Sequence, residues 1–269
     1  MAVTIGVLAL QGGFQEHISL LVKAAAHLRA SKSWSRWQQK NHELDFIEVR
    51  NADDLSRCEA LVIPGGESTT IVLSAARSGL LEPLRKFVKI DRKPVWGTCA
   101  GLIVLAEQAN ATKKGGQELI GGLDVRVQRN HFGRQIESFV ADMDLPFLAE
   151  LDGGGGDGNT PPAPYPGVFI RAPIVEELLA CDGAGQPVGE EEQGREQAKS
   201  RVDVLAVLPG RTVRAKGGEV EAESSGHVTD IVAVRQGNVF GTSFHPELTD
   251  DVRVHAWWLS QVLDQLESK

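Results

Sequence analysis

The stretch VWGTCAGLIVLAE, residues 95–107, sets a lone cysteine between two glycines at the point where a strand-like run becomes a helix-like one. Apolar residues lie on both sides of the corner, so whatever the corner does is embedded in a core. Working outward, the first hundred residues repeat that pattern. Continuous apolar runs at 3–10, 44–49, 60–63 and 95–96 alternate with amphipathic stretches at 14–29, 69–78, 80–90 and 100–109. Unbroken apolar strands alternating with helices are the mark of a buried, mostly parallel sheet. The expectation is an α/β fold of three layers, a mostly parallel central sheet flanked by helices, whose site forms at the carboxyl ends of the strands.

Beyond residue 120 the rhythm shortens. Strand candidates fall at 123–128, 135–140, 168–170 and 202–208, and a hairpin joins 231–234 to 239–242 through RQGN at 235–238. These form a smaller antiparallel element. A last helix is expected to begin at Thr249, an N-cap followed by Asp250 and Asp251 in the first turn. Its Val252, Trp257, Leu259 and Leu263 are expected to pack on the sheet. Three stretches interrupt the pattern: SKSWSRWQQKNH at 31–42, a glycine and proline tract at 153–167, and a polar, charge-rich segment at 181–201. They read as surface insertions within a single domain spanning 1–269, the last two as mobile ones.

Composition narrows the function classes. Of 269 residues, 42% are hydrophobic, enough for a sizeable core, and the formal net charge of -8 argues against a nucleic-acid partner. The N-terminus has no basic leader or cleavage motif, and no apolar run approaches the roughly 20 residues of a membrane span. A soluble cytoplasmic protein without a membrane partner is expected. Cys58, Cys99 and Cys181 are far apart with no CxxC pair, which suggests neither a disulfide framework nor a zinc site.

The chemistry starts at Gly97-Thr98-Cys99-Ala100-Gly101, which has the form of a nucleophile elbow. Glycines relieve the crowding of a sharp strand-to-helix turn, and a thiol at a helix N-terminus is favoured as thiolate. A small buried cysteine beside packing glycines is the plainer alternative. A base is available in His245-Pro246-Glu247, after the strand-like VFGTSF. If the segment is extended, residues two apart point the same way, so Glu247 accepts from one imidazole nitrogen while the other faces the sulfur. Alone, these residues could be a connection carrying a solvated histidine. The loop Pro64-Gly65-Gly66-Glu67-Ser68-Thr69 follows another strand and offers main-chain N–H groups for an oxyanion, with Ala100 N–H as second donor. It lacks the Gly-Lys-Ser/Thr pattern of a phosphate loop, and an ordinary turn is its alternative.

Together the GxCxG elbow, the upstream PGG loop and the late HPE resemble the triad-type (class I) glutamine amidotransferases, a flavodoxin-like fold family. LALQGGFQEH at 8–17, PGGEST at 64–69, RNHFGRQIESF at 129–139 and FIRAP at 169–173 resemble the glutaminase subunit of pyridoxal 5'-phosphate synthase. The resemblance implies Cys99 as nucleophile, His245 as acid and base, Glu247 as its orienting partner, and the backbone of Gly66 and Ala100 as oxyanion hole. It implies that L-glutamine is held by Gly65, Gly66 and Glu67, by Arg129 and by Ile170 and Arg171. Arg and main-chain N–H groups suit its carboxylate, and Glu67 suits its ammonium. The alternative for Arg129 and Arg171 is a structural ion pair. It implies that Gln11 belongs to a loop that takes part in activation by the partner, a (β/α)8-barrel synthase subunit receiving ammonia, with no metal or cofactor in this chain. The sequence departs from the compact family pattern in its insertions, which resemble those of eukaryotic, particularly fungal, members, and in His131.

Overall fold

The computed structural model describes residues 2–37, 43–110, 118–133, 137–152, 161–179, 200–209 and 229–268. In chain order, β1 (Ala2–Leu8) leads to α1 (Phe14–Ala30), β2 (Glu43–Val49), α2 (Ala52–Ser56), β3 (Ala60–Ile63), α3 (Ser68–Arg77) and α4 (Leu81–Lys89). Then follow β4 (Val95–Thr98), α5 (Ala100–Leu105), β5 (Ala106–Ala109) and β6 (Leu123–Gln128). The last elements are β7 (Phe139–Met143), β8 (Tyr165–Phe169), β9 (Ile174–Leu178), β10 (Asp203–Pro209), β11 (Thr229–Gln236), β12 (Val239–Thr242) and α6 (Arg253–Glu267).

One large sheet runs in the order β2-β1-β3-β4-β12-β11-β9-β6-β5, with β10 paired to β11. From β2 to β12 the neighbours are parallel, and β11, β9 and β6 continue the sheet antiparallel. Strands β7 and β8 form a separate antiparallel pair. The expected parallel sheet and smaller antiparallel element are both present.

Alternation along the strands divides the core in two. Ile5, Val7, Val62 and Trp96 face α1 and α6, which contribute Leu21, Ala24, Leu28, Val254 and Trp257. Leu8, Leu61, Ile63 and Val95 face α3, α4 and α5, which contribute Ile71, Leu84, Val88 and Leu102. Burial on both faces is why these strands read as unbroken apolar runs. Cys58 belongs to the second core, its Sγ 3.3 Å from Asp54 O, and burial pushes its thiol up to about 12. It is a packing residue and a poor nucleophile.

Several boundaries differ from expectation. The stretch 100–109 divides at Leu105, because Ala106 turns extended and pairs with Leu123 at the sheet edge. Strand β9 and helix α2 carry no periodic signal: only Ile174 and Val175 of β9 are buried, and α2 has five residues. The strand read at 135–140 is displaced to Phe139–Met143, and that at 168–170 to Tyr165–Phe169. Residues 134–136 lie outside the described ones. Thr249 is not the cap of the last helix. A 3-10 turn at Pro246–Leu248 precedes it, and the helix starts at Arg253, whose N–H donates to Asp251 Oδ1 at 3.0 Å.

The stretch after α1 is packed rather than loose where it is described. It forms a 3-10 turn at Lys32–Arg36, and the buried Trp37 donates from Nε1 to Asp264 Oδ1 on α6 at 2.9 Å. Residues 38–42, 153–160 and 180–199 lie outside the described ones, and 165–167 belong to β8, where Tyr165 is fully buried.

Candidate active site

Strand register brings the distant motifs together. In the parallel β4 and β12, Thr98 lies opposite Thr242, and in β3 and β4, Ile63 lies opposite Gly97. The residues that follow these three ends are Cys99, Ser243 to His245, and Pro64 to Gly66, so all three segments leave the sheet at one rim. Cys99 N–H donates to Thr242 O at 2.8 Å, locking the corner to β12.

Cys99 has φ 49° and ψ -101°, a left-handed conformation that costs a non-glycine residue about 1–3 kcal/mol and aims the side chain out of the turn. The flanking glycines are required by close approach. A Cβ on Gly101 would stand 2.0 Å from Ile63 O, and one on Gly97 would stand 2.4 Å from Gly101 C. Cys99 Sγ lies 4.0 Å from Ile170 O.

His245 is held from two sides. Its N–H donates to Val168 O on β8 at 2.8 Å, and its Nδ1 is 2.7 Å from Glu247 Oε1. The segment is not extended as the sequence suggests. Proline opens a single 3-10 turn, and this turn still returns Glu247 to the imidazole. With Nδ1 engaged, Nε2 is the nitrogen left for the sulfur. Burial alone would lower the imidazole; hydrogen bonds with Cys99 and Glu247, and their charges, outweigh it and raise His245 to about 10. Burial works against the Glu247 carboxylate in turn, but its interactions with His17 and His245 hold it well below the usual carboxylate range.

Gly65 closes the other side of the sulfur: a Cβ there would stand 2.5 Å from His245 Cε1 and 3.4 Å from Cys99 Cβ. Gly65 N–H is taken by Thr98 Oγ1 at 2.9 Å, which leaves Gly66 as the amide of this loop available to a ligand, with Ala100 opening α5 across the sulfur. Gly12, at φ 97°, packs so closely that a Cβ would stand 1.7 Å from Gly65 O. Gln11 Oε1 accepts from Glu67 N at 2.7 Å, which ties the turn after β1 to the glycine loop.

The remaining expected residues surround this rim. Glu67 caps α3, accepting from Thr69 N at 3.1 Å, Thr70 N at 2.6 Å and Thr70 Oγ1 at 2.7 Å. Burial opposes its charge, but these hydrogen bonds prevail and lower its pKa. Arg129, which follows β6, feels the charge of Glu67, and its buried Nε has no partner. That orphaned donor suits an incoming carboxylate. Ile170 is half-buried at the sulfur, and Arg171 is exposed with φ 47°. His131 pairs with the buried Asp230 at 3.2 Å. Among the described residues, no group of three or more His, Cys, Asp and Glu is placed to hold a metal, and no helix is long and apolar enough to cross a membrane.

Sequence reasoning missed the layer beneath the site. His17, fully buried, has Nε2 3.3 Å from Thr98 Oγ1 and 3.3 Å from Glu247 Oε2, and Nδ1 3.0 Å from Nε2 of the equally buried His255. A signal existed. His17 occupies the apolar stripe of α1 with Leu20, Leu21, Ala24 and Leu28, where an imidazole needs a partner.

A model of the SNO glutamine amidotransferase family matches residues 7–206 and 211–264. The chain belongs to the SNO glutamine amidotransferase family. The SNO match contains every residue of the rim, from Gln11 to Glu247. Among its relatives, the probable pyridoxal 5'-phosphate synthase subunit PDX2 of Arabidopsis thaliana is 42% identical over 261 residues, covering 95% of this chain and 84% of that protein. The pyridoxal 5'-phosphate synthase subunit PdxT of Streptomyces avermitilis is 42% identical over 258 residues, covering 96% and 93%. A crystal structure described as a glutamine amidotransferase superposes with a TM-score of 0.62 at 32% identity, covering 96% of this chain and 98% of that one.

Proposed function

We propose that this SNO family chain hydrolyses L-glutamine to glutamate and ammonia and supplies the ammonia to a pyridoxal 5'-phosphate synthase. The observation that carries the chemistry is that Cys99, His245 and Glu247 leave the sheet at one rim, with Glu247 Oε1 2.7 Å from Nδ1 of the imidazole. Relatives named as subunits of that synthase support the destination of the ammonia.

In the proposed mechanism the α-carboxylate of glutamine binds at Arg129, whose Nε otherwise lacks a partner, and the α-ammonium lies toward Glu67. Gly65, Gly66, Ile170 and Arg171 complete the walls. His245 takes the proton of Cys99, and the sulfur adds to the side-chain carboxamide carbon. The N–H groups of Gly66 and Ala100 receive the resulting oxyanion, where fixed donors act without reorganisation. The C–N bond breaks as His245 returns the proton to the departing nitrogen, releasing ammonia and leaving a γ-glutamyl thioester. Water, deprotonated by His245, attacks the thioester; the C–S bond breaks, glutamate leaves and the thiol is reprotonated. Glu247 holds the imidazole orientation and balances its charge throughout.

Free ammonia protonates and diffuses away in water, so the reading includes a partner that closes the site. We assign this role to a (β/α)8-barrel synthase subunit docking near Gln11, whose bond to Glu67 N couples the docking face to the glycine loop. The test is a glutaminase assay with and without that subunit. Turnover is expected to rise on its addition and to vanish in Cys99→Ala, which keeps its fold; turnover persisting in Cys99→Ala removes the nucleophile.

A further inference from the structure

We propose that His17 is a positioning residue of the active site, a fourth member behind Cys99, His245 and Glu247 that orients Glu247 and the Gly65 loop through one shared proton. The proposal rests on the glutaminase reading and deepens it. Three observations carry it. Glu247 Oε2 is buried without a hydrogen bond, and His17 Nε2 stands 3.3 Å from it, within ion-pair distance, so His245 bonds one oxygen of the carboxylate and His17 faces the other. The same Nε2 lies 3.3 Å from Thr98 Oγ1, which in turn accepts from Gly65 N, so one imidazole touches both the partner of the base and the support of the glycine loop. The ring is itself locked, edge-on to Trp96 at 5.6 Å between centroids and bonded through Nδ1 to His255.

The tautomer follows from acceptor counting. An ionised carboxylate only accepts, so Nε2 of His17 carries the proton that faces Glu247. His255 is wholly buried, and burial keeps it neutral. Assigning its proton to Nε2 lets it donate to His17 Nδ1 and leaves at His255 Nδ1 a lone pair rather than a stranded N–H. His255 therefore fixes which nitrogen of His17 points at the site. The titratable groups around Glu247 and His245 include Cys99 at the start of α5, His17 and Glu16 on α1, Tyr165 on β8 and His255 on α6. A leucine at 17 would satisfy the apolar stripe better; the imidazole is explained by what its Nε2 reaches.

The test compares His17→Asn with His17→Gln in the complex with the synthase subunit, with rates expressed per site titrated by an electrophilic glutamine analogue. The Asn amide falls near the Nδ1 position and cannot reach Glu247; the Gln amide can. Asn is expected to lower kcat about 10- to 100-fold, the range seen when outer-shell supports of a site are removed. KM for glutamine should stay within about twofold, since no glutamine contact is lost. The alkaline limb of kcat/KM should move to lower pH, because a less well-held Glu247 supports the His245 imidazolium less. Gln should keep kcat within about threefold of the parent. An Asn variant with parental kcat and an unmoved limb overturns the proposal, and so, independently, does a Gln variant tenfold or more down. Cys99→Ala is assayed alongside: residual turnover there would sink the glutaminase reading itself, whereas a silent Cys99→Ala with a parental His17→Asn sinks only the role of His17.

Discussion

Gly65→Ala isolates the geometry of the site from its chemistry. The backbone of Gly65 is not left-handed, so alanine meets no conformational penalty there and the whole effect is steric. The added methyl would stand 2.5 Å from Cε1 and 2.8 Å from Nδ1 of His245 and 3.4 Å from Cys99 Cβ. Ordinary contact begins near the last of these distances, so the imidazole must retreat by about 1 Å. It cannot do so freely, because Nδ1 is held at 2.7 Å by Glu247 and the main chain by Val168. A misplacement of about 1 Å costs on the order of 100-fold in rate, or about 2.7 kcal/mol of barrier. Overpacking adds a stability loss of about 1–3 kcal/mol. The assay is steady-state glutaminase turnover with the synthase subunit, beside a thermal melt. Gly79→Ala is the control: its Cβ meets nothing within 4 Å, its φ is 70°, and it should lose about 1 kcal/mol of stability with kcat unchanged. A Gly65→Ala enzyme within threefold of the parent kcat would refute the placement of the base against this loop.

Two further outcomes follow from the site. Arg129→Ala should raise KM for glutamine at least about 10-fold, a charge-assisted hydrogen bond being worth about 1.5–3 kcal/mol, and leave the melting temperature within a few degrees because its Nε has no partner to strand; an unchanged KM would remove it from the glutamine site. Linkage sets the second. His245 is raised from 6.5 to about 10, so its contribution to stability is fully present below pH 6.5 and is lost as pH rises through about 10. The melting-temperature advantage of the parent over His245→Gln should therefore shrink steadily from neutral pH to about pH 10, and a constant difference would contradict the pairing with Cys99 and Glu247.

What could be read from the sequence was whatever physical chemistry forces into local pattern. Strands β1, β3, β4 and β12 are buried on both faces, so they must be apolar throughout and are readable as such. The elbow is readable because close approach at Gly97 and Gly101 admits no side chain. The illegible parts were those whose determinants are distant. Strand β9 is defined by its pairing with β6 and β11, and its two buried residues, the consecutive Ile174 and Val175, set no period. The last helix starts late because Asp251, not Thr249, receives the first amide, and because the backbone of 246–248 is committed to returning Glu247 to His245. Trp37 reads as part of a surface insertion until Asp264, 227 residues away in sequence, supplies its partner.

The same distinction explains why the three candidate catalytic side chains were readable and the histidines beneath them were not. Cys99, His245 and Glu247 sit at strand ends, where glycine, proline and a change of period mark a rim. His17 and His255 sit inside amphipathic helices, where a single polar residue on an apolar face reads as an imperfection in the stripe. Their meeting requires α1 and α6, from opposite ends of the chain, to pack side by side over β4, with Trp96 edge-on to both imidazoles. The sheet register alone could bring sulfur and imidazole to one edge. Holding Glu247 from below needs the helical layer as well, so the packing of the first and last helices and the geometry of the base are a single structural problem.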